Sequence, residues 1–471
     1  MEAKRFGVQI QRGLRHWAIL QRKGNFGSIE LSGIWSALPG AGDELASVYT
    51  RVVKEDGSGD IVPWRRCATD RNGEWNTAIR DIPTGGLYRI ETCLRVGDRQ
   101  PIELATRGDM IHHVVVGDIW VIAGQSNAAG YGRGAVNDPP EMGVHLLRHN
   151  GQWDLATHPL NESTGTVQAL NGEPVNPGHS PYLAFAKEIK KETGVPIGLL
   201  QTALGGSPLS RWNPDENGDL YRNMMDVIRS AGGQVKGMLW YQGCSDCDPE
   251  NAPTYLSRFS RMVERWREDM SDNDLSVLTV QLNRNASSEE GDEADCWWGE
   301  VREAQRTAAM TLSRVYVVPS LDSPLSDIIH NCPAGNLLIG GRLAKAALAA
   351  DYGKTAAYRA PNIVQAAYDP ESHDGTPTIL LMFADVTGEL FAVGNREPVF
   401  TVEDGQGKAP ITRWRITDKI KVELELSRPL EGAAVVHGAY ETNPSAFPVL
   451  DTGTHMPMLS FYGYKIKQEK R

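Results

Sequence analysis

No apolar run in this chain approaches the roughly 18–20 residues that a membrane-spanning helix needs, so no such helix is expected. Basic residues are in deficit: 48 Lys and Arg against 59 Asp and Glu leave a formal net charge of −11. That balance argues against nucleic acid and anionic membrane surfaces as partners. The N-terminus, MEAKRFGVQIQRG, has neither an apolar core nor a small-residue cleavage site, so no signal peptide is expected. The location that follows is secreted, periplasmic or cell-surface if Met1 merely opens a mature form, and cytoplasmic otherwise. Cysteine is scarce, with six in 471 residues, and neither internal repeats nor low-complexity segments occur. What remains, 41% hydrophobic and 23% charged, is the composition of an ordinary globular protein. Its length allows two or three domains and at least one large core.

Three regions differ in rhythm. Residues 28–116 break into short strand-like pieces between Gly, Pro and Asp turns; the clearest, 88–96, alternates apolar and polar positions after Pro83-Thr84-Gly85-Gly86. From Gly117 the rhythm becomes strand, loop, helix, with a plain helical period in Tyr255, Leu256, Phe259, Met262, Val263 and Trp266. Buried strands are predicted at 119–123, 197–203, 235–241, 277–282 and 315–319. Five such strands alternating with helices imply an α/β fold with a doubly wound parallel sheet. After Ala360-Pro361 the chain returns to β alternation, at 378–383, 420–426 and 433–440. The expected organisation is an N-terminal β module (1–116), a catalytic α/β domain (117–355) and a C-terminal β module (356–471).

Ligands of an open α/β sheet bind at the carboxyl ends of its strands. After the first strand comes Gly124-Gln125-Ser126-Asn127. A serine at a sharp strand-to-helix turn has free backbone N–H groups and partial positive charge beside it, which suits a nucleophile that must hold an oxyanion. Position 128 is Ala, so this is not the G-x-S-x-G elbow. The second strand is followed by Gly205-Gly206, the third by Gln242-Gly243, and the fifth by Asp322, Asp327 and His330. Together these are the parts of a serine hydrolase: nucleophile, oxyanion donors, and a base held by a carboxylate.

GQSNAAG, GGSPLSRW, WYQG and the D-x-x-H of Asp327 and His330, in this order, resemble the four blocks of SGNH-type carbohydrate esterases. The resemblance is greatest to the sialate O-acetylesterase-like branch, which also includes acetylxylan esterases. Residues 298–305 are similar to that branch's segment before the last strand, 340–344 to the helix after its histidine, and 436–461 to its C-terminal β module. The resemblance implies an SGNH (flavodoxin-like) sheet flanked by β-sandwich-like modules, acting as a carbohydrate O-acetylesterase. Ser126 would be the nucleophile, His330 the general base and Asp327 its orienter. The N–H groups of Ser126 and Gly206, with the Gln242 amide, would form the oxyanion hole. The partner would be an acetylated carbohydrate, and no metal or organic cofactor is required. Gln125, Asn127, Arg211 and Trp212 are the candidate substrate-binding residues, Trp212 by stacking on a sugar ring and Arg211 by reading a carboxylate. Two positions depart from the branch: Cys244 stands where a glutamate is usual, and Asn331 where a proline is.

Each assignment has a rival. Ser126 could cap a helix. Asp109-Met110-Ile111-His112 repeats the D-x-x-H spacing, which makes His112 a competing base, and Asp322 is an alternative orienter. Trp212, like Trp297-Trp298, could be core. Cys244, Cys247, Cys296 and Cys332 fall near the catalytic edge, as free thiols, as two disulfides that would brace the loops, or as a zinc site of four cysteines. The acidic run Glu289-Glu290-Asp292-Glu293-Asp295 would favour neutral glycans over anionic ones. The alternative functions are a short-chain acyl esterase or thioesterase of broad specificity, and a catalytically weak glycan-binding protein.

Overall fold

The computed structural model of the protein describes residues 6–468, apart from 38–45, 71, 98–100, 174–177, 288–291, 372–374, 394–398 and 447. Its longest strand is β1, Thr106–Gly124. From Val114 to Gly124 every residue of β1 is buried, as a strand covered on both faces requires. The first half of β1 pairs antiparallel with Gly85–Val96, placing Ile90 opposite Ile111. The second half lies inside the parallel sheet. The boundary expected at residue 116 therefore falls within β1, and the N-terminal region and the catalytic sheet share this strand.

The catalytic sheet continues with β2 (Val144–Leu147), β3 (Trp153–Leu155), β4 (Ile197–Gln201), β5 (Gly237–Tyr241), β6 (Ser276–Val280) and β7 (Val315–Val318). Their order is β3-β2-β4-β1-β5-β6-β7. All neighbours are parallel except the β2–β3 edge pair. The sheet thus has six parallel strands where about five were expected. The additional one is β2, whose apolar run is interrupted by His145. That ring is fully buried, with Nδ1 2.6 Å from the Trp17 carbonyl oxygen, so a hydrogen bond satisfies this one of its two nitrogens in the core.

Helices α1 (Ser126–Ala129), α2 (Tyr182–Thr193), α3 (Asp219–Ser230), α4 (Tyr255–Met270), α5 (Asp292–Thr311) and α6 (Pro333–Asp351) connect the strands. On α4 the buried residues Tyr255, Phe259, Met262, Val263 and Trp266 form the single stripe that a period of 3.6 demands. The chain leaves β1, builds β2 to β4 on one side, and then crosses to β5 on the other. This reversal of direction beside β1 opens a crevice at the carboxyl ends of the strands.

The flanking regions are β-rich. Near the N-terminus the strands Gly7–Arg12, Phe26–Ser36 and Glu74–Pro83 form a sheet whose Ile29, Leu31, Trp75 and Ile79 share a core with Val48, Val52 and Ile90. At the C-terminus are three further sheets, and the five-stranded and four-stranded ones enclose Phe383, Phe400, Leu424, Val436 and Phe461. Arg302, on α5, fastens this last region to the catalytic sheet. Its fully buried guanidinium donates to the carbonyls of Leu282 (3.0 Å), Asn283 (2.5 Å), Tyr440 (2.9 Å) and Glu441 (2.6 Å). Burial pulls its pKa down to about 10. No helix of the described residues is long and apolar enough to cross a membrane.

Arg302→Leu would leave these carbonyls without their donor in a dry joint, at about 1–3 kcal/mol for each group left unsatisfied. The variant is expected to lose roughly 3 kcal/mol or more of stability in urea unfolding. An unchanged midpoint would show that the joint does not depend on the guanidinium.

Candidate active site

The site is built on the last residue of β1. Gly124 has φ +127°, and a Cβ there would lie 2.2 Å from the Tyr241 carbonyl oxygen. Glycine alone lets β1 stay this close to β5 while the chain turns. Gln125 then donates its N–H to that same Tyr241 oxygen at 3.0 Å. α1 starts at Ser126 and stops after four residues at Gly130, which is left-handed. The Gln125 side-chain oxygen accepts the Gly243 N–H at 2.9 Å, tying the serine turn to the loop after β5.

Ser126, His330 and Asp327 come together. His330 Nε2 is 2.9 Å from Ser126 Oγ, and His330 Nδ1 is 2.7 Å from Asp327 Oδ2. The D-x-x-H spacing has a local cause. Asp327 Oδ1 accepts the N–H groups of Ile329 (2.9 Å) and His330 (2.8 Å), so the carboxylate folds the turn that delivers the imidazole to its other oxygen. Burial raises the Asp327 pKa, but these backbone donors and the imidazole outweigh it and hold the group below the usual carboxylate range. Asp327 therefore stays ionised at neutral pH.

A second set of contacts holds the histidine loop. Asn331, fully buried, donates its backbone N–H (3.0 Å) and its amide (3.2 Å) to Asn127 Oδ1, and its amide also reaches the Tyr241 hydroxyl (3.0 Å). Asn283, just past β6, donates to Asn331 Oδ1 (3.1 Å) and to the Ile329 carbonyl (2.7 Å). The departure at position 331 thus supplies a backbone donor that proline lacks. The His330 ring packs against the Tyr131 ring, with centroids 4.9 Å apart and planes tilted by 37°. Sequence reasoning singled out neither Asn283 nor Tyr131. Tyr131 lies one residue beyond the serine block, and Asn283 follows a strand end that carried no recognisable motif.

The oxyanion and substrate assignments need correction in part. Gly206 is exposed and left-handed (φ +65°), and among the described residues neither its N–H nor that of Ser126 donates to a backbone acceptor. Gln242 is different. Its side chain is fully buried and its amide nitrogen donates to the Ser207 carbonyl (3.2 Å) and to Asp246 Oδ2 (2.5 Å), while its oxygen accepts the Tyr255 hydroxyl (2.9 Å). Both amide hydrogens are engaged away from Ser126, so Gln242 braces the loop. Gln125 and Asn127 are likewise buried and occupied with loop backbone. Arg211 is held bidentately by Asp219 at 3.0 and 2.7 Å. Trp212 is fully buried, donates to Ser207 Oγ at 3.0 Å, and packs edge-on to Trp240. It is core, and unavailable for stacking on a sugar.

The rivals separate clearly. His112 pairs with Glu55 at 2.7 Å on the part of β1 that pairs outside the parallel sheet, and Asp322 is bound bidentately by Arg342. No disulfide joins the cysteines among the described residues; all six are thiols, so the bracing bridges are not formed. Glu289 and Glu290 lie outside the described residues, while Asp295 accepts the Thr442 N–H at 2.6 Å.

Asp138, His158 and His179 converge as metal ligands would. The two rings, however, stack with centroids 3.8 Å apart, and both face Asp138 Oδ2 while Lys187 takes its other oxygen. Imidazoles sharing one tetrahedral ion at about 2.0–2.1 Å diverge, with centroids about 5 Å apart. The cluster fits an ion-pair network better than a coordination sphere.

Comparison with known proteins bears on the family and the fold. Residues 116–349 match the family described as carbohydrate esterase, sialic acid-specific acetylesterase. A probable carbohydrate esterase of Arabidopsis thaliana is 31% identical over 254 residues, covering 49% of this chain and 90% of that protein. The sialate O-acetylesterase of Homo sapiens is 22% identical over 235 residues, covering 41% of this chain and 42% of that protein. The crystal structure of a carbohydrate acetylesterase from Xanthomonas citri superposes with a TM-score of 0.68 at 22% identity, covering 96% of this chain and 99% of that one. The fold it shares therefore extends through both flanking regions.

Asn331→Pro would restore the residue usual in the branch but remove the N–H held by Asn127. Because the amide's contacts with Asn127, Tyr241 and Asn283 go with it, it is expected to lower kcat at least about tenfold, the worth of one or more buried hydrogen bonds, with KM little changed; unchanged kcat would show that His330 is held without Asn331. Gln242→Ala is expected to reduce stability by about 1–3 kcal/mol, because it strips a donor from buried Asp246. Thermal unfolding with no change in midpoint would count against that bracing role.

Proposed function

This chain belongs to the carbohydrate esterase, sialic acid-specific acetylesterase family and is a carboxylic ester hydrolase, and from that premise we propose that it deacetylates O-acetylated carbohydrates through a Ser126–His330–Asp327 triad. The observation that carries this reading is the unbroken relay from Asp327 Oδ2 through His330 to Ser126 Oγ, at 2.7 and 2.9 Å. Ser126 Oγ attacks the acetyl carbonyl as His330 Nε2 takes its proton. Asp327 accepts the Nδ1–H and stabilises the imidazolium. The N–H groups of Ser126 and Gly206 receive the oxyanion, with Gln242 acting only behind them. Collapse expels the sugar hydroxyl, which takes the proton from His330 and leaves acetyl-Ser126. Water, deprotonated by His330, then releases acetate and restores the serine.

In this reading Ser126 follows β1 and His330 and Asp327 follow β7, and the β-rich regions on either side would border the cleft and help hold a glycan. The test is acetate release from acetylated xylan, acetylated simple sugars and O-acetyl sialic acid. Wild type should act on at least one of these, and Ser126→Ala should lose about 10⁴-fold or more of kcat. Turnover that survives in Ser126→Ala would remove the nucleophile from this account. Rates that rise with acyl length, on aryl esters or thioesters, would favour a broad acyl esterase.

A further inference from the structure

His330 and the loop carrying Gly206 come from opposite sides of β1, and no direct contact described above links them. A single carboxylate does. Glu173 lies in the long connection between β3 and α2, in none of the four sequence blocks, and is only 7% exposed. Its Oε2 accepts the Tyr131 hydroxyl at 2.6 Å, and its Oε1 accepts the Gly205 N–H at 2.5 Å. Its own backbone N–H is anchored on Ser163 Oγ at 2.9 Å. The approach is close: a Cβ on Gly205 would lie 2.4 Å from the Tyr131 hydroxyl oxygen. Glycine at 205 is therefore what admits the tyrosine.

Each arm of the carboxylate ends on a part of the proposed chemistry. Through Tyr131 it fixes the ring on which the His330 imidazole rests, with centroids 4.9 Å apart. Through Gly205 it fixes the residue preceding the left-handed Gly206, and so the direction in which the Gly206 N–H points. A buried carboxylate that accepts two donors in fixed directions makes a rigid joint, because each bond is charge-assisted and the alternative is an unpaired buried charge. Preorganised donors lose much of their value when displaced by fractions of an ångström.

We propose that Glu173 is a positioning residue that locks the general base and the oxyanion loop to each other, with Tyr131 as its lever on His330. This inference rests on the triad reading above.

The test is a set of steady-state measurements of acetate release by wild type, Glu173→Ala, Glu173→Gln, Tyr131→Phe and the Tyr131→Phe/Glu173→Ala double variant, with Ser126→Ala as control. Glu173→Ala should lose roughly ten- to a hundredfold in kcat, with KM within about threefold of wild type. Glu173→Gln keeps an acceptor oxygen for one arm and should recover part of that loss. Tyr131→Phe should lower kcat alone, yet add little in the Glu173→Ala background, because the lever is already free. The proposal is overturned if kcat of Glu173→Ala stays within about twofold of wild type, or if the two substitutions are additive. If Glu173→Ala does not fold, as judged by its melting transition, Glu173→Gln and Tyr131→Phe with their double variant carry the same comparison. An inactive Ser126→Ala beside an unimpaired Glu173→Ala removes this proposal alone, whereas an active Ser126→Ala removes the triad.

Discussion

The close approach of β1 to β5 at Gly124 is the constraint on which the site depends. With a Cβ position only 2.2 Å from the Tyr241 carbonyl oxygen, any other residue would push the two strands apart or block the turn. Three consequences follow from that contact. Gln125 docks on the same carbonyl, α1 starts at once, and Ser126 arrives at the crevice with its N–H bonded to no backbone acceptor among the described residues. The nucleophile is thus set by backbone geometry in the rigid centre of the sheet.

Everything else is brought to this fixed point by buried polar contacts. The His330 loop is drawn in by Asn127, Asn283 and Asn331, and the loop after β5 by the Gln125 side chain. Amides suit this work because each carries both donors and an acceptor, and so can bridge two backbone segments while leaving few groups unsatisfied. The same economy ties residues flanking the nucleophile to the loops around them. Asn127 and Gln242 are adjacent to the chemistry, but their amides are occupied in holding loops, as is the Gln125 side-chain oxygen.

The catalytic core was legible in the sequence because its signals are local. Five buried runs announce five of the parallel strands, and Asp327 and His330 lie within one turn whose hydrogen bonds are internal. Strand β2 was not legible, since His145 disrupts its apolar run and its compensating acceptor, the Trp17 carbonyl, is 128 residues away. Side-chain direction was also hidden. Nothing near Trp212 in the sequence distinguishes a sugar platform from a core residue wedged beside Trp240, and nothing near Gln242 reveals that Asp246 captures its amide. The continuity of β1 through residue 116 was hidden too, because one strand changes partners there, pairing with Gly85–Val96 before it and with β4 and β5 after it.

The central claim is that Ser126 is the nucleophile and that His330 activates it. The most direct measurement is stoichiometric inactivation by an organophosphorus ester, followed by peptide mass spectrometry to locate the label. The account predicts one label per chain, on Ser126, with esterase turnover lost in proportion, and much slower labelling in His330→Ala. A label on another residue, or turnover that persists in fully labelled protein, would contradict it.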